Sequence, residues 1–232
     1  MRDQFISIDD VHRVYREGDT LHRVLQGVSL TVSPGETIAL LGRSGSGKST
    51  LLNIISGIDR VDKGRVIVDG VDLTALPERE LTEFRRRNIG FIYQFFNLIP
   101  TLTCLENVAL VLELNKLSRK AIWEKSLAML EAVDLDWAAN RFPDQMSGGE
   151  QQRVAIARGL VHSPQLVLAD ELTGTLDAQT GQQVLTLLQR LVSGSRATML
   201  LVTHSLAVAK TADRIVTLEN GLLSEQEGAF AW

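Results

Sequence analysis

Residues 42–49 read GRSGSGKS and match the pattern G-x-x-x-x-G-K-[ST] in full. The glycines allow a backbone turn that aims successive N–H groups at phosphate oxygens. The helix that should follow adds the partial positive charge of its N-terminus. Lys48 then reaches the β- and γ-phosphates of a nucleotide, and the Ser49 hydroxyl is a ligand for Mg²⁺. A glycine turn with a purely structural purpose is the bland alternative. The context argues against it, because the apolar strand candidate ETIALLG (36–42) precedes the turn and the apolar helix candidate TLLNIISG (50–57) follows.

Further along, LVLADE places Asp170 and Glu171 directly after a short apolar run. Carboxylates at the end of a buried strand are costly unless something pairs with them. A metal at the C-terminal edge of a sheet would do so, with Asp170 as the Mg²⁺ partner and Glu171 polarising an attacking water. A helix N-cap pair is the competing explanation. LLVTHS repeats the pattern: His204 follows another apolar run and is expected to contact a γ-phosphate. Gln94, at the end of IGFIYQ, could touch the metal or the water.

A second glycine turn opens MSGGEQQRVAIARG (146–159), which continues as a helix. Its Ser147, Gly148 and Gly149 sit where a helix N-terminus has free N–H groups, which is an anion site. One domain needs only one such turn for its own nucleotide. The economical expectation is that the second serves the nucleotide of another copy, in a head-to-tail, isologous dimer.

The elements that must hold these groups alternate short apolar runs with longer amphipathic ones. ETIALLG, IGFIYQ (89–94), LVLAD (166–170), TMLLVT (198–203) and RIVTLEN (214–220) read as strands buried on both faces, hence a mainly parallel sheet. FISIDDVHRVY (5–15) and VIVDGVDL (66–73) alternate more and read as antiparallel strands with one wet face. Asn220–Gly221 is a hairpin turn. LTCLENVALVLEL and RKAIWEKSLAMLEAV have helical spacing. The expected architecture is α/β: a P-loop NTPase core with a mainly parallel sheet, an antiparallel β subdomain and an inserted helical lobe. It forms one domain, with the core at about 1–84 and 161–232 and the lobe at about 85–160. The tail EQEGAFAW gives no signal.

Composition excludes several classes. The chain has 232 residues, 44% of them hydrophobic and 22% charged, with a net charge of -4. That charge disfavours non-specific nucleic-acid binding. The single cysteine, Cys104, permits no internal disulfide and fits a reducing compartment. The opening MRDQFISIDD does not read as a signal peptide, and no apolar run reaches the length of a membrane span.

Taken together, these motifs resemble the nucleotide-binding subunit of ABC transporters over about Phe5 to Leu223. Gly42–Thr50 resembles the Walker A loop, which implies nucleotide contacts at Gly42, Ser44, Gly45, Ser46, Gly47, Lys48, Ser49 and Thr50. Leu166–Glu171 resembles the Walker B strand. Gln94 falls at the Q-loop, SGGE at the signature, TGTLD with Asp177 at the D-loop, and His204 at the switch histidine. Tyr15 falls where the family puts an aromatic ring under adenine, although a plain strand-face aromatic remains open. The resemblance implies a catalytic set of Lys48, Gln94, Glu171 and His204, and a magnesium set of Ser49, Gln94 and Asp170.

FRRRNIGFIYQFFNLIPTLTCLENVAL further resembles the lipoprotein-releasing, macrolide-exporting and cell-division group. This implies an ATPase at the cytoplasmic face of the inner or plasma membrane. It would work as an ATP-sandwich homodimer with an integral-membrane permease and an optional periplasmic or extracytoplasmic adaptor. The apolar run Phe95–Pro100 is the candidate docking surface, with lobe core packing as the alternative. A soluble non-transport ABC ATPase and a hydrolysis-deficient regulatory subunit are the rival functions. Two departures from the family pattern stand out. Glu150 replaces the frequent Gln of the signature, and Leu172 replaces the Pro that follows the Walker B glutamate. Leucine should leave that turn freer and put the hydrolysis rate in doubt.

Overall fold

The computed structural model describes residues 4–225. Of the tail EQEGAFAW, only Glu225 lies within them. The chain divides into two compact units, Met1–Glu83 with Thr198–Trp232, and Phe84–Ala197.

In the first unit, β1 (Ile6–Glu17), β2 (Thr20–Val32), β4 (Lys63–Val68) and β5 (Val71–Asp72) form an antiparallel sheet in the order β2-β1-β4-β5. The sequence patterning does not announce β2. Its first half mixes exposed Leu21 with His22 and Arg23, and Gly27 interrupts the rest. The structure explains that glycine. Its φ is 93°, and a Cβ there would stand 3.1 Å from the Asp10 carboxylate, beside the register shift in β1.

The same unit holds β3 (Thr37–Leu41), flanked by β8 (Thr198–Thr203) and β9 (Arg214–Glu219), both parallel to it. Ile38, Ala39 and Leu40 are fully buried, as a near-continuous apolar strand requires. A final strand, β10 (Leu222–Glu225), pairs antiparallel with β9. The joining residues Asn220 and Gly221 have φ of 50° and 75°, the double positive φ of a type I′ hairpin. From β3 the chain turns into α1 (Lys48–Ile55), whose Leu51, Leu52, Ile54 and Ile55 are buried. The short α7 (Leu206–Ala209) follows β8. The chain enters the second unit through α2 (Glu78–Asn88), which apolar periodicity does not reveal because only Leu81 is buried. Its signature is electrostatic instead, with Glu78 and Glu80 in the first turn and Arg85, Arg86 and Arg87 in the last.

In the second unit, β6 (Ile89–Ile92) runs parallel to β7 (Leu166–Asp170). The strand expected through Gln94 ends at Ile92, so Gln94 belongs to a loop. Helices α3 (Cys104–Leu114), α4 (Arg119–Ala132) and α5 (Gly148–Leu160) share a core of Val108, Leu112, Leu130, Val154, Ala157 and Val161. Thr103 and Glu106 close a capping box on α3, and the Ser118 hydroxyl caps α4. Helix α6 (Ala178–Ser195) follows β7.

One close approach positions α5. A Cβ on Gly90 of β6 would stand 2.2 Å from the Gly159 carbonyl oxygen, and a Cβ on Gly159 would stand 3.2 Å from the Phe91 carbonyl. Helix and strand backbones therefore touch where neither residue can carry a side chain. Gly90→Ala is expected to push α5 off the strand and destabilise the protein by about 2 kcal/mol or more, read as a lower midpoint in denaturant unfolding. An unchanged midpoint would mean that the approach is not obligatory.

Candidate functional site

The Gly42–Ser49 turn joins β3 to α1 as the residue pattern requires. Gly45 and Gly47 have φ of 78° and 102°, values that side chains rarely tolerate. Gly42 is needed for another reason: a Cβ there would come within 2.5 Å of the Leu218 carbonyl. Lys48 is 6% exposed and donates to the carbonyls of Gly42 (2.8 Å) and Arg43 (2.9 Å), which places its ammonium inside the loop. Ser44, Gly45 and Ser49 are exposed, with Ser49 and Thr50 in the first turn of α1. The Ser46 hydroxyl is buried and has no hydrogen-bond partner among the described residues. A buried hydroxyl left unmatched is costly, and here it faces the turn that would accept phosphate oxygens. A cavity of about 740 Å³ opens beside the loop, walled by residues 42–46, Arg23 and the Asn220–Gly221 turn. These features fit a polyphosphate, and the Ser49 hydroxyl is a hard oxygen donor of the kind that suits Mg²⁺.

Tyr15 lies in the same unit, on β1. Its hydroxyl donates to Asp59 Oδ2 (2.5 Å), and Arg13 binds both oxygens of that carboxylate (2.7 and 3.0 Å). The Arg13 guanidinium sits 4.6 Å from the centre of the Tyr15 ring. The phenol is therefore fixed in orientation while 37% exposed. His204 follows β8 as expected and is exposed.

In the second unit, Asp170 ends β7 and Glu171 follows it with a φ of 45°. A non-glycine residue in this region costs about 1 kcal/mol. Glu171 Oε2 accepts a hydrogen bond from Gln94 Nε2 at 3.2 Å, so the structure brings these two expected site residues together. The Gly174 amide donates to the Glu171 carbonyl (3.0 Å), closing a turn with Leu172 at its second position. That is a favoured place for proline. Leu172 occupies that position with 1% of its surface exposed.

The signature turn is a helix start, as its sequence suggests. Ser147 is the N-cap of α5, and its backbone N–H and hydroxyl both donate to Glu150 Oε2 at 2.8 Å. This closed capping box fills the first turn with internal bonds at Ser147 and Glu150. Gly148 and Gly149 follow at the first two helical positions, whose amides have no intrahelical acceptor. Gly149 has a local reason too, since a Cβ there would meet Thr180 Cγ2 at 2.5 Å. Asp177 caps α6, accepting from the amides of Gln179 (3.1 Å) and Thr180 (3.0 Å). A cavity of about 810 Å³ lies at this edge, walled by Ser147, Gly149, Thr180, Arg153 and Arg190.

The Phe95–Pro100 run divides between its two expected roles. Phe95 is 69% exposed and Ile99 36% exposed, whereas Leu98 packs on the helical core. Two residues that the sequence reading did not single out hold this run. Asn107, fully buried on α3, accepts from the Ile99 amide (2.8 Å) and donates to the carbonyls of Ile99, Leu102 and Thr103 (3.1, 3.0 and 3.0 Å). Arg158 on α5 donates to the carbonyls of Asn97 (2.5 Å) and Phe96 (2.7 Å). The available signal for Asn107 was an amide on the apolar stripe of LENVAL.

A phosphate-binding glycine turn ahead of a helix, a strand-end carboxylate pair and a second glycine helix start define an ATP-binding cassette. The ABC transporter family profile matches residues 25–174, and the chain belongs to that family as an ATP-binding, ATP-hydrolysing subunit. An uncharacterized ABC transporter ATP-binding protein of Mycobacterium tuberculosis is 47% identical over 96% of this chain and 90% of its own length. The lipoprotein-releasing system ATP-binding protein LolD of Pseudomonas syringae pv. tomato is 42% identical over 95% of this chain and 97% of its own. The macrolide export ATP-binding/permease protein MacB of Syntrophobacter fumaroxidans is 42% identical over 97% of this chain, which spans 32% of that longer protein. Among solved structures, the dimeric post-hydrolysis state of the ATP-binding cassette MJ0796 bound to ADP and Pi has a TM-score of 0.87. It is 39% identical and covers 97% of this chain and 100% of the other.

The Ser147 donors hold the Glu150 carboxyl below its usual value of 4.5, with the backbone N–H as the largest cause. A lowered folded pKa means that the capping contribution is present above 4.5 and is lost as pH falls through the folded value. Glu150→Gln should therefore melt below the parent at pH 7, and the gap in Tm should narrow as pH drops below about 4.5. A gap independent of pH would show that the carboxylate's charge contributes nothing to the cap.

Proposed function

We propose that this chain powers a membrane transporter of the exporter or mechanotransmission kind, working at the cytoplasmic face of the inner or plasma membrane as a homodimer bound to a separate permease. The observation that carries the dimer is the signature helix start. Ser147 and Glu150 satisfy each other, while the Gly148 and Gly149 amides remain available to an anion. In the proposed assembly that anion is the γ-phosphate of the second copy's ATP. The dimeric cassette MJ0796 supports this reading. The pairing of ATP-binding and permease parts in the name of MacB supports a permease partner. Among the described residues no helix is long and apolar enough to cross a membrane.

In this reading Lys48 exchanges its two carbonyl acceptors for phosphate oxygens. Ser49, Gln94 and Asp170 would hold Mg²⁺, which would supply positive charge against the phosphates. Glu171 orients and polarises the attacking water, and its bond from Gln94 fixes the carboxylate until that water is in place. His204 contacts the γ-phosphate. Tyr15 supports adenine on the ring face that Arg13 does not cover. Leu172, buried and compatible with its turn, gives no support to a hydrolysis-deficient role.

The trans arrangement has a complementation test. In a Glu171→Gln background, which slows turnover, Lys48→Ala and Ser147→Arg should each abolish ATP-dependent dimerisation. Mixing the two should restore it, because one of the two sites then pairs an intact loop with an intact signature. A chain carrying both lesions mixed with a chain carrying neither should form no ATP-held heterodimer. Light scattering that shows no dimer when the Lys48→Ala and Ser147→Arg chains are mixed would place the signature on its own chain's nucleotide.

The permease assignment has its own test, and the structure sharpens the choice of residue. Phe95 is the exposed member of the Phe95–Phe96 pair. Phe95→Ser should leave ATP hydrolysis by the isolated subunit within about twofold, less than 1 kcal/mol in barrier, while transport in reconstituted vesicles falls sharply. Unimpaired transport would remove Phe95 from the docking surface.

A further inference from the structure

Three observations in the second unit converge on one short segment. First, Phe96 and Asn97 are both left-handed, with φ of 53° and 50°, and the Asn97 amide bonds back to the Phe95 carbonyl across Phe96. A three-residue turn with positive φ at its centre is rare and strained, and more so for a bulky aromatic. Second, Arg158 meets the carbonyls of both residues with two nitrogens of its guanidinium, at 2.7 and 2.5 Å. Its charge is largely withdrawn from water, and that burial lowers its pKa. A planar fork can span two carbonyls, whereas a lysine ammonium is a point charge. Third, the turn sends the Phe96 ring to the start of α5. A methyl built on Gly148 would stand 3.7 Å from Phe96 Cζ and 3.4 Å from Leu176 Cδ2.

We infer that Arg158 and Phe96 form a strut that positions the anion-binding edge of α5. Arg158, near the C-terminal end of the helix, holds the left-handed turn. The turn seats the Phe96 ring against Gly148, at the helix's N-terminal end, beside Leu176 of the segment leading to α6. One residue before the ring, Phe95 points to solvent at 69% exposure. A load on Phe95 therefore acts on a turn whose other side rests on Gly148. Neither Arg158 nor Phe96 need touch nucleotide, and both are positioning residues. The inference rests on the proposed function, in which the Gly148 edge takes the γ-phosphate of a second copy.

The test uses the full chain in the Glu171→Gln background, with ATP and Mg²⁺ as the probe. Arg158→Lys keeps a cation but loses the rigid two-nitrogen fork of the guanidinium, and Phe96→Ala removes the ring from a half-buried site. Each should raise the ATP-dependent dimer dissociation constant tenfold or more. Binding of ATP to the monomer, measured at protein concentrations too low for dimers, should stay within twofold. Phe96→Leu should recover most of the loss. The double variant should be no worse than the worse single, because both act through one turn. Unchanged dimerisation in Phe96→Ala overturns the strut, whatever happens to Tm. Additive losses in the double variant, or an equal loss of monomer binding, also overturn it. If Arg158→Lys fails to fold, the Phe96 pair decides alone. A Glu171→Gln parent that stays monomeric with ATP overturns the proposed function and the strut with it, whereas a dimeric parent whose variants match it overturns the strut only.

Discussion

The amides that a helix cannot satisfy for itself set the terms for this protein. Every helix start leaves N–H groups without intrahelical acceptors. At α3, α4 and α6 the side chains of Thr103, Ser118 and Asp177 answer some of them. At α1 the N-cap is Gly47, left-handed and without a side chain to offer. At α5 Ser147 caps as Thr103 does, accepting from the Glu150 amide, and the Gly148 and Gly149 amides before it have no intrahelical acceptor. At α3 the corresponding amides of Cys104 and Leu105 donate to the carbonyls of Arg141 and Ala139. The starts of α1 and α5 both follow glycine-rich sequence and lie beside sizeable cavities.

Strands with continuous apolar runs were legible in the sequence because burial on both faces leaves no room for polar residues. TIALL, LVLAD and TMLLVT became β3, β7 and β8 within a residue of expectation. The phosphate turn was legible for a similar reason, since its residues are fixed by backbone geometry that only glycine supplies. What escaped detection depends on partners distant in sequence. The glycine in β2 accommodates an aspartate from β1, and α2 advertises itself by charge at its ends. Arg158 was read as part of a helix, and nothing local says that its two acceptors lie some sixty residues earlier. Gln94 and Glu171 were expected near one water, but the direct bond between them was not, because spacing in sequence does not encode approach in space.

Leu172 shows how a departure from pattern can be absorbed. Proline would restrict the turn through its ring. Leucine cannot do so, and at this position it is instead buried in the protein. The carboxylate it supports sits on a left-handed residue and is bonded to Gln94, so its aim is set from more than one side.

Asn107 and Arg158 together make the loop after β6 mechanically unusual. Most surface loops absorb a push as extra conformational freedom. Here Asn107 pins the far end through one amide and three carbonyls, and Arg158 pins the near end through two more. A segment fixed at both ends has low compliance, so it behaves as an arm and not as a spring.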